Sequence, residues 1–272
     1  MVNSSDGERL SPVPTPAPLP PPVPAADHAL AARLAHEAGL VLMRLRDQLL
    51  DDGIVGHMLG SVGDLEANKV LVEALSVERP DDAVLSEEVF ERASATQQRV
   101  AARRVWIVDP LDGTREFGTP GRSDWAVHVA LSVDGVPAAG AVALPAHGLV
   151  LSTPEPASAP RLDGPVRIVV SRTRPPEFAY RAAHALDAEM VPMGSAGAKA
   201  MAVVLGDADA YIHAGGQYEW DSCAPAAVAA AAGLWCSRLD GSPLRYNRPD
   251  PYLPDLVICR PELADTILTA GA

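Results

Sequence analysis

Trp106-Ile107-Val108-Asp109-Pro110-Leu111-Asp112-Gly113-Thr114 is the stretch on which the reading of this chain turns. Its first three residues belong to a hydrophobic strand, expected over Arg104 to Val108, which delivers Asp109 at its C-terminal end. Pro110 has no N–H and is expected to end the ladder. Asp112 returns three residues after Asp109, and Gly113 permits a tight turn that opens a helix over 113–118, whose N-terminus favours an anion. Two carboxylates across such a turn can converge on one point. The backbone carbonyl of Leu111 lies between them and the Thr114 hydroxyl beside them. Oxygen-only donors of this kind suit Mg²⁺. Taken alone, the same DxxD spacing also fits a turn in which Asp accepts local hydrogen bonds.

Two further acidic elements share the design. Leu85-Ser86-Glu87-Glu88 puts carboxylates at the end of a short apolar strand, and Trp220-Asp221-Ser222-Cys223-Ala224-Pro225 puts Asp221 at the start of a helix. Singly, Asp221 reads as a helix N-cap and Glu87 and Glu88 as solvated charge. Together the three elements offer four acidic side chains and a carbonyl to one site.

Composition sets the frame. A chain of 272 residues holds one large domain or two intimate ones, and 48% hydrophobic with 21% charged residues is ordinary for a soluble fold. No run of 18 uncharged apolar residues suggests a membrane span. The start, MVNSSDGERL, lacks a secretory layout, so a cytoplasmic location is expected. A net charge of -13 argues against a nucleic-acid polymer as partner and favours a cation wherever phosphate is handled. Cys223, Cys236 and Cys259 have no zinc or disulfide spacing and read as buried free thiols.

Along the chain, residues 1–26 form a tail with eight prolines in positions 11–24, polyproline-like or disordered. Asp27 is placed to N-cap a first helix carried by Leu30, Leu34, Val41, Leu45 and Leu49. A polar, glycine-bearing stretch over 51–63 precedes a second helix from Glu66 to Val77. Strands follow at 83–85, 104–108, 125–133, 137–144 and 149–152, with Asp134-Gly135 as a hairpin turn. A Pro/Ala/Ser-rich loop over 153–165 separates a metal-binding α+β half, 27–155, from an α/β half, 156–272, that completes the site. In the second half, strands are expected at 166–170, 208–212 and 256–259, and helices at 177–186, 196–205, 222–232 and 262–268.

WIVDPLDGT with an upstream SEE and a downstream WDSCAP resembles the inositol monophosphatase superfamily of Mg²⁺-dependent, lithium-sensitive phosphatases over residues 27 to 270. Within it, the chain is most similar to the 3'-phosphoadenosine 5'-phosphate phosphatases, the CysQ-type 3'(2'),5'-bisphosphate nucleotidases. Three stretches carry that finer likeness: WDSCAP, LDGTREF at 111–117, and Gly194-Ser195-Ala196-Gly197-Ala198-Lys199, which looks like the nucleotidase GGAGNK segment.

The resemblance implies the α/β (α+β) sugar-phosphatase fold, a layered α-β-α-β-α sandwich with the cleft between its halves, and a homodimer as in many relatives. It implies two or three Mg²⁺ ions held by Glu87, Asp109, the Leu111 carbonyl, Asp112 and Asp221. It implies in-line hydrolysis of a phosphorylated nucleotide by activated water, with inositol 1-phosphate or fructose 1,6-bisphosphate as alternative substrates. Asp112, Gly113, Thr114, Ser171, Arg172, Ser195, Lys199 and Asp221 become substrate contacts. Arg174, His213, Gly215 and Gly216 are neighbours of that surface. One departure concerns the base. The family's upstream motif ends in an Asp that pairs with the motif threonine. In Gly63-Asp64-Leu65-Glu66-Ala67-Asn68-Lys69 the expected position holds Asn68. Asp64, or Glu87 with Thr114, then takes the role. A phospholigand sensor of weak activity is the reading from a different class.

Overall fold

The computed structural model describes residues 21–89, 93–158, 160 and 163–270. The elements run α1 (Ala25–Asp51), α2 (Gly56–Glu78), β1 (Ala83–Ser86), α3 (Ala93–Ala101), β2 (Arg104–Asp112), α4 (Thr114–Phe117), β3 (Ala126–Val133), β4 (Val136–Leu144) and β5 (Leu149–Ser152). They continue as β6 (Arg167–Ser171), α5 (Glu177–Leu186), β7 (Glu189–Met193), α6 (Ala196–Val204), β8 (Ala210–Tyr218), α7 (Glu219–Ala231), β9 (Trp235–Ser237), β10 (Tyr252–Cys259) and α8 (Ala264–Thr269).

Two five-stranded sheets form, in the orders β1-β2-β3-β4-β5 and β7-β6-β8-β10-β9. The first is an antiparallel meander with β1 added parallel to β2. Strand alternation sorts the layers. Trp106 and Val108 of β2 pack against α1 and α2, while Val105 and Ile107 face α6 and α7. In the second sheet, Leu256 and Ile258 of β10 meet that same pair of helices, and Val257 and Cys259 meet α5 and α8. The result is the expected α-β-α-β-α stack. Both faces of each sheet are covered, which is why the strands read as continuous apolar runs. All three cysteines are free and buried, as expected.

Four departures from the sequence expectation bear on the site. First, α2 begins ten residues early, at Gly56. Its glycines are close-packing positions inside a helix. A Cβ on Gly60 would come 2.5 Å from Thr114 Cγ2, and one on Gly63 would come 2.8 Å from Phe117 Cε1. Second, β2 does not end at Pro110 but continues to Asp112. Asp109 opposes His128 and Asp112 opposes Ala126, so three steps on β2 match two on β3. This is a bulge, the setting in which proline is tolerated inside a sheet. Residues three apart on a regular strand point to opposite faces, and the extra residue brings the two carboxylates to one side.

Third, Asp27 is not the cap of α1. The helix starts at Ala25 after Pro24, and the buried Asp27 instead accepts from Arg79 Nε at 3.0 Å and Arg104 Nη2 at 3.1 Å. Leu42 rather than Val41 or Leu45 lies fully on the buried face. Fourth, Asp221 is not the cap of α7. Tyr218 holds that position, and Asp221, in the first turn, accepts from the Tyr218 backbone N–H at 2.6 Å. Strands β7 and β9 were not anticipated: β7 is an edge strand bearing Pro192, and β9 has three residues. Most of the proline-rich tail, residues 1–20, lies outside the described residues.

Candidate active site

The three acidic motifs meet. Among the described residues, one oxygen each of Asp109, Asp112 and Asp221 can be chosen so that all lie within 4.8 Å of one another. Asp109 comes from the β2 bulge, where its Oδ1 accepts the Leu111 N–H at 3.0 Å. Asp112 closes the bulge. Gly113, at φ +90°, turns the chain into α4, a conformation that costs glycine little. Asp221 is aimed by the first turn of α7. Glu87, at the end of β1 with part of its surface in solvent, adds its charge to the same cluster.

Asp64 is nearly buried on α2. Thr114 Oγ1 lies 3.1 Å from Asp64 Oδ2 and 3.2 Å from the Leu111 carbonyl oxygen, so its proton has an acceptor on either side. Asp64 Oδ1 is buried without a hydrogen-bond partner. Residue 68 does not face Thr114. Asn68 accepts from Ser86 Oγ at 2.7 Å and braces the chain just before Glu87. The expectation that position 68 faces the threonine is therefore overturned. One helical turn separates Asp64 from Asn68, and only the close packing at Gly60 and Gly63 selects the turn that meets Thr114.

The charge balance is lopsided. Asp109 is pushed well above its ordinary value by burial and then by Glu87, Asp112 and Asp221. Burial first, then neighbouring carboxylates, raise Asp64 to about 7, Asp221 to about 7 and Glu87 to about 8. For Asp112, burial is outweighed by His128, Lys199 and the Ser195 hydroxyl, which hold it well below the carboxylate range. A cluster that resists full ionisation, built of oxygen donors, fits a divalent cation.

These shifts predict how metal-free stability depends on pH. A carboxyl with a raised folded pKa keeps its proton where the unfolded chain has lost it, so unfolding releases protons. Stability contributed by these groups falls as pH climbs from about 4 toward 8, at ~1.4 kcal/mol per pH unit for each fully affected buried group. In EDTA the melting temperature is expected to be higher at pH 5.5 than at pH 8. Mg²⁺ is expected to stabilise more at pH 8. A flat profile in EDTA would contradict the arrangement.

A cavity of about 460 Å³ opens beside the cluster. Asp112, Gly113, Thr114 and Asp221 line it, as do Ser171, Arg172, Arg174, Ser195, Lys199, His213 and Gly216. The structure brings these sequence-proposed contacts to one wall, but several are already engaged. Arg172 pairs with Glu116. Lys199 Nζ donates to the carbonyl oxygens of Gly194 at 2.8 Å and Ser195 at 2.6 Å, leaving one proton, and burial lowers its pKa to about 8. Ser195 Oγ donates to Asp112 Oδ2 at 2.5 Å and caps α6 by accepting the Ala198 N–H. Arg174 forms no ion pair among the described residues, although its guanidinium abuts Gly216. Gly215 does not line the cavity. Glu116, His128 and Gln217 were not singled out from sequence. Only the fold carries His128, a β3 residue with no motif around it, to the cluster.

The inositol monophosphatase family model matches residues 28–270 of this chain. The chain belongs to the inositol monophosphatase family. It is 52% identical over 255 residues to the 3'-phosphoadenosine 5'-phosphate phosphatase of Mycobacterium leprae, covering 89% of this chain and 92% of that one. It is 32% identical over 238 residues to the Escherichia coli K12 3'(2'),5'-bisphosphate nucleotidase CysQ, covering 81% of this chain and 94% of that one. The crystal structure of CysQ from Bacteroides thetaiotaomicron, a bacterial member of the family, superposes with a TM-score of 0.71 at 24% identity, over 87% of this chain and 97% of that one. That likeness establishes the shared fold. Among the described residues, no helix is long and apolar enough to cross a membrane.

Proposed function

We propose that this chain is a Mg²⁺-dependent phosphomonoesterase that removes the 3'-phosphate of 3'-phosphoadenosine 5'-phosphate, releasing AMP and phosphate. The observation that carries the reading is the convergence of Asp109, Asp112 and Asp221 beside a cavity that Asp112 and Asp221 line together with Arg172, Arg174 and Lys199. Carboxylates for a cation sit beside side chains for an anion, in a chain about half identical to phosphatases named for this nucleotide.

In this reading Glu87, Asp109, the Leu111 carbonyl, Asp112 and Asp221 hold two or three ions. Bound Mg²⁺ would neutralise phosphoryl charge and make water more acidic. The chain's own groups do the rest. Thr114 passes its proton to Asp64, which frees the threonine oxygen to accept a proton from an attacking water. Gly113 and Thr114 offer backbone donors to the phosphate. Arg172 and Lys199, already held by Glu116 and by backbone carbonyls, are pre-oriented for what protons they have left. Asp64 gives Thr114 a carboxylate partner, which answers the part of the sensor alternative that rested on Asn68.

The test is phosphate release by purified protein with Mg²⁺ from 3'-phosphoadenosine 5'-phosphate, inositol 1-phosphate and fructose 1,6-bisphosphate. The nucleotide is expected to give kcat/KM at least ~10²-fold above either sugar phosphate, because of the three only it presents a base together with a second phosphate. A sugar phosphate preferred over the nucleotide would overturn the substrate assignment.

A further inference from the structure

Two buried polar side chains of β8 take no part in the chemistry described above. His213 is 5% exposed and Gln217 is 4% exposed, and both residues line the cavity. Among the described residues, His213 Nε2 and Gln217 Oε1 are buried without a hydrogen-bond partner. Buried polar atoms are nearly always paired, so two orphans on one strand call for a reason.

Both atoms are acceptors. Gln217 Nε2 donates to the Tyr211 hydroxyl at 2.7 Å, which leaves the amide oxygen as the free end. For His213, burial first and then the charge of Lys199 hold the pKa at about 4. The ring is therefore neutral near pH 7 and carries one N–H. It hydrogen-bonds the Gly215 backbone in the sense that favours a protonated ring, so the ring N–H donates to the carbonyl. Nε2 is the nitrogen without a partner and keeps a bare lone pair.

The backbone builds this corner locally. Between Ala214 and Gln217, β8 takes three steps where β10 takes two, from Asp255 to Leu253. The extra residue is absorbed at Gly215-Gly216, with φ of +81° and +77°, where a side chain would be strained. A bulge re-aims the side chains on either side of it, here His213 and Gln217.

A bare lone pair is the wrong group for phosphate. A phosphate dianion only accepts hydrogen bonds, and the cavity offers it Arg172, Arg174 and Lys199 instead. Nor do the two atoms join the carboxylates that could gather a metal, which are Asp109, Asp112 and Asp221 among the described residues. Two acceptors are satisfied by a group with two protons to give. On an adenosine bisphosphate, a ribose hydroxyl has one, and the exocyclic amine of the base has two.

We infer that His213 and Gln217 are the specificity-determining pair that reads the base, taking the two N–H protons of the adenine exocyclic amine on Nε2 and Oε1. The inference rests on the nucleotide reading above and names the groups that recognise the base.

The experiment measures phosphate release at saturating Mg²⁺ from three substrates. They are 3'-phosphoadenosine 5'-phosphate, its analogue with hydrogen in place of the 6-amino group, and its 2'-deoxy analogue. Wild type is expected to prefer the amino compound to the 6-hydrogen analogue by ~10²-fold in kcat/KM, because the analogue leaves both acceptors buried and unpaired. His213→Phe and Gln217→Met fill the space without the acceptor. Each is expected to shrink that preference to about ten-fold, and the double variant to within about three-fold. Discrimination against the 2'-deoxy analogue should not move.

A wild-type preference below about three-fold for the amino compound overturns the inference without any variant, so it stays testable if a variant does not fold. A preference that survives undiminished in the double variant overturns it as well. If the variants instead erase discrimination against the 2'-deoxy analogue, the acceptors serve the ribose and the inference falls. Each of these failures leaves the nucleotide phosphatase reading in place. A wild-type chain that prefers a sugar phosphate to all three nucleotides overturns that reading and the inference together.

Discussion

Asp109→Asn is expected to lower phosphate release by about 10³-fold or more while leaving the chain folded. Asp109 is the most buried of the converging carboxylates, 1% exposed, and it faces Asp112, Asp221 and Glu87. Asparagine keeps its shape and its acceptor for the Leu111 N–H but removes the charge that would anchor a cation. A cation is worth several kcal/mol of transition-state stabilisation in such a site, and each 1.36 kcal/mol is about a factor of ten. The same substitution is expected to raise the melting temperature in EDTA. Without a cation the folded chain must hold Asp109 protonated or bear its repulsion, and asparagine removes that cost. In excess Mg²⁺ the advantage should shrink or reverse, because the variant gains less from the ion. Near wild-type turnover in the variant would refute the placement of the metal. A variant no more stable than wild type in EDTA would refute the picture of a strained anionic cluster.

Asp64→Asn separates the proton path from the metal site. Thr114 Oγ1 is 3.1 Å from Asp64 Oδ2, and the Asp64 pKa near 7 suits a group that takes a proton at neutral pH. Asparagine can accept the hydrogen bond but cannot take the proton. The expected loss is ~10²–10⁴-fold in kcat, the usual range for a positioned acid–base group. KM and the Mg²⁺ requirement should change little. Thr114→Val should cost a similar factor, and the double variant should be little worse than either, because the pair works as one unit. A kcat within about ten-fold of wild type in Asp64→Asn would assign the base elsewhere, with Glu87 as the next candidate.

How much of this was legible in the residues varies by element. The Asp134-Gly135 turn is a local matter of backbone chemistry. Both residues have positive φ, and the hairpin pairs Val133 with Val136 as the dipeptide suggests. Helix α5 has the expected bounds because its apolar face repeats at helical spacing. The start of α2 was not legible. Glycine is a poor helix former by propensity, and Gly60 and Gly63 are in the helix because Thr114 and Phe117 need the space. Pro110 likewise reads as a strand end, whereas the sheet absorbs it in a bulge that pairing with β3 imposes.

The residues by themselves determined which chemistry is available here. Oxygen donors on three short motifs, an acidic chain and no thiol or imidazole pattern for a softer metal point to a hard cation and an anionic substrate. Periodicity determined the layers, because each strand carries its own two faces. What only the tertiary structure decided is who touches whom. Asp64 rather than residue 68 meets Thr114, because one helical turn is invisible in spacing and visible in packing. Gly197 meets His128 and Asp112, because β3 pairing and the passage of α6 over the His128 ring bring together residues 69 and 85 positions apart in the chain. Donors such as Ser195 and Lys199 are engaged by neighbours that the sequence cannot rank. Local chemistry is written residue by residue, and long-range contact depends on how whole elements stack.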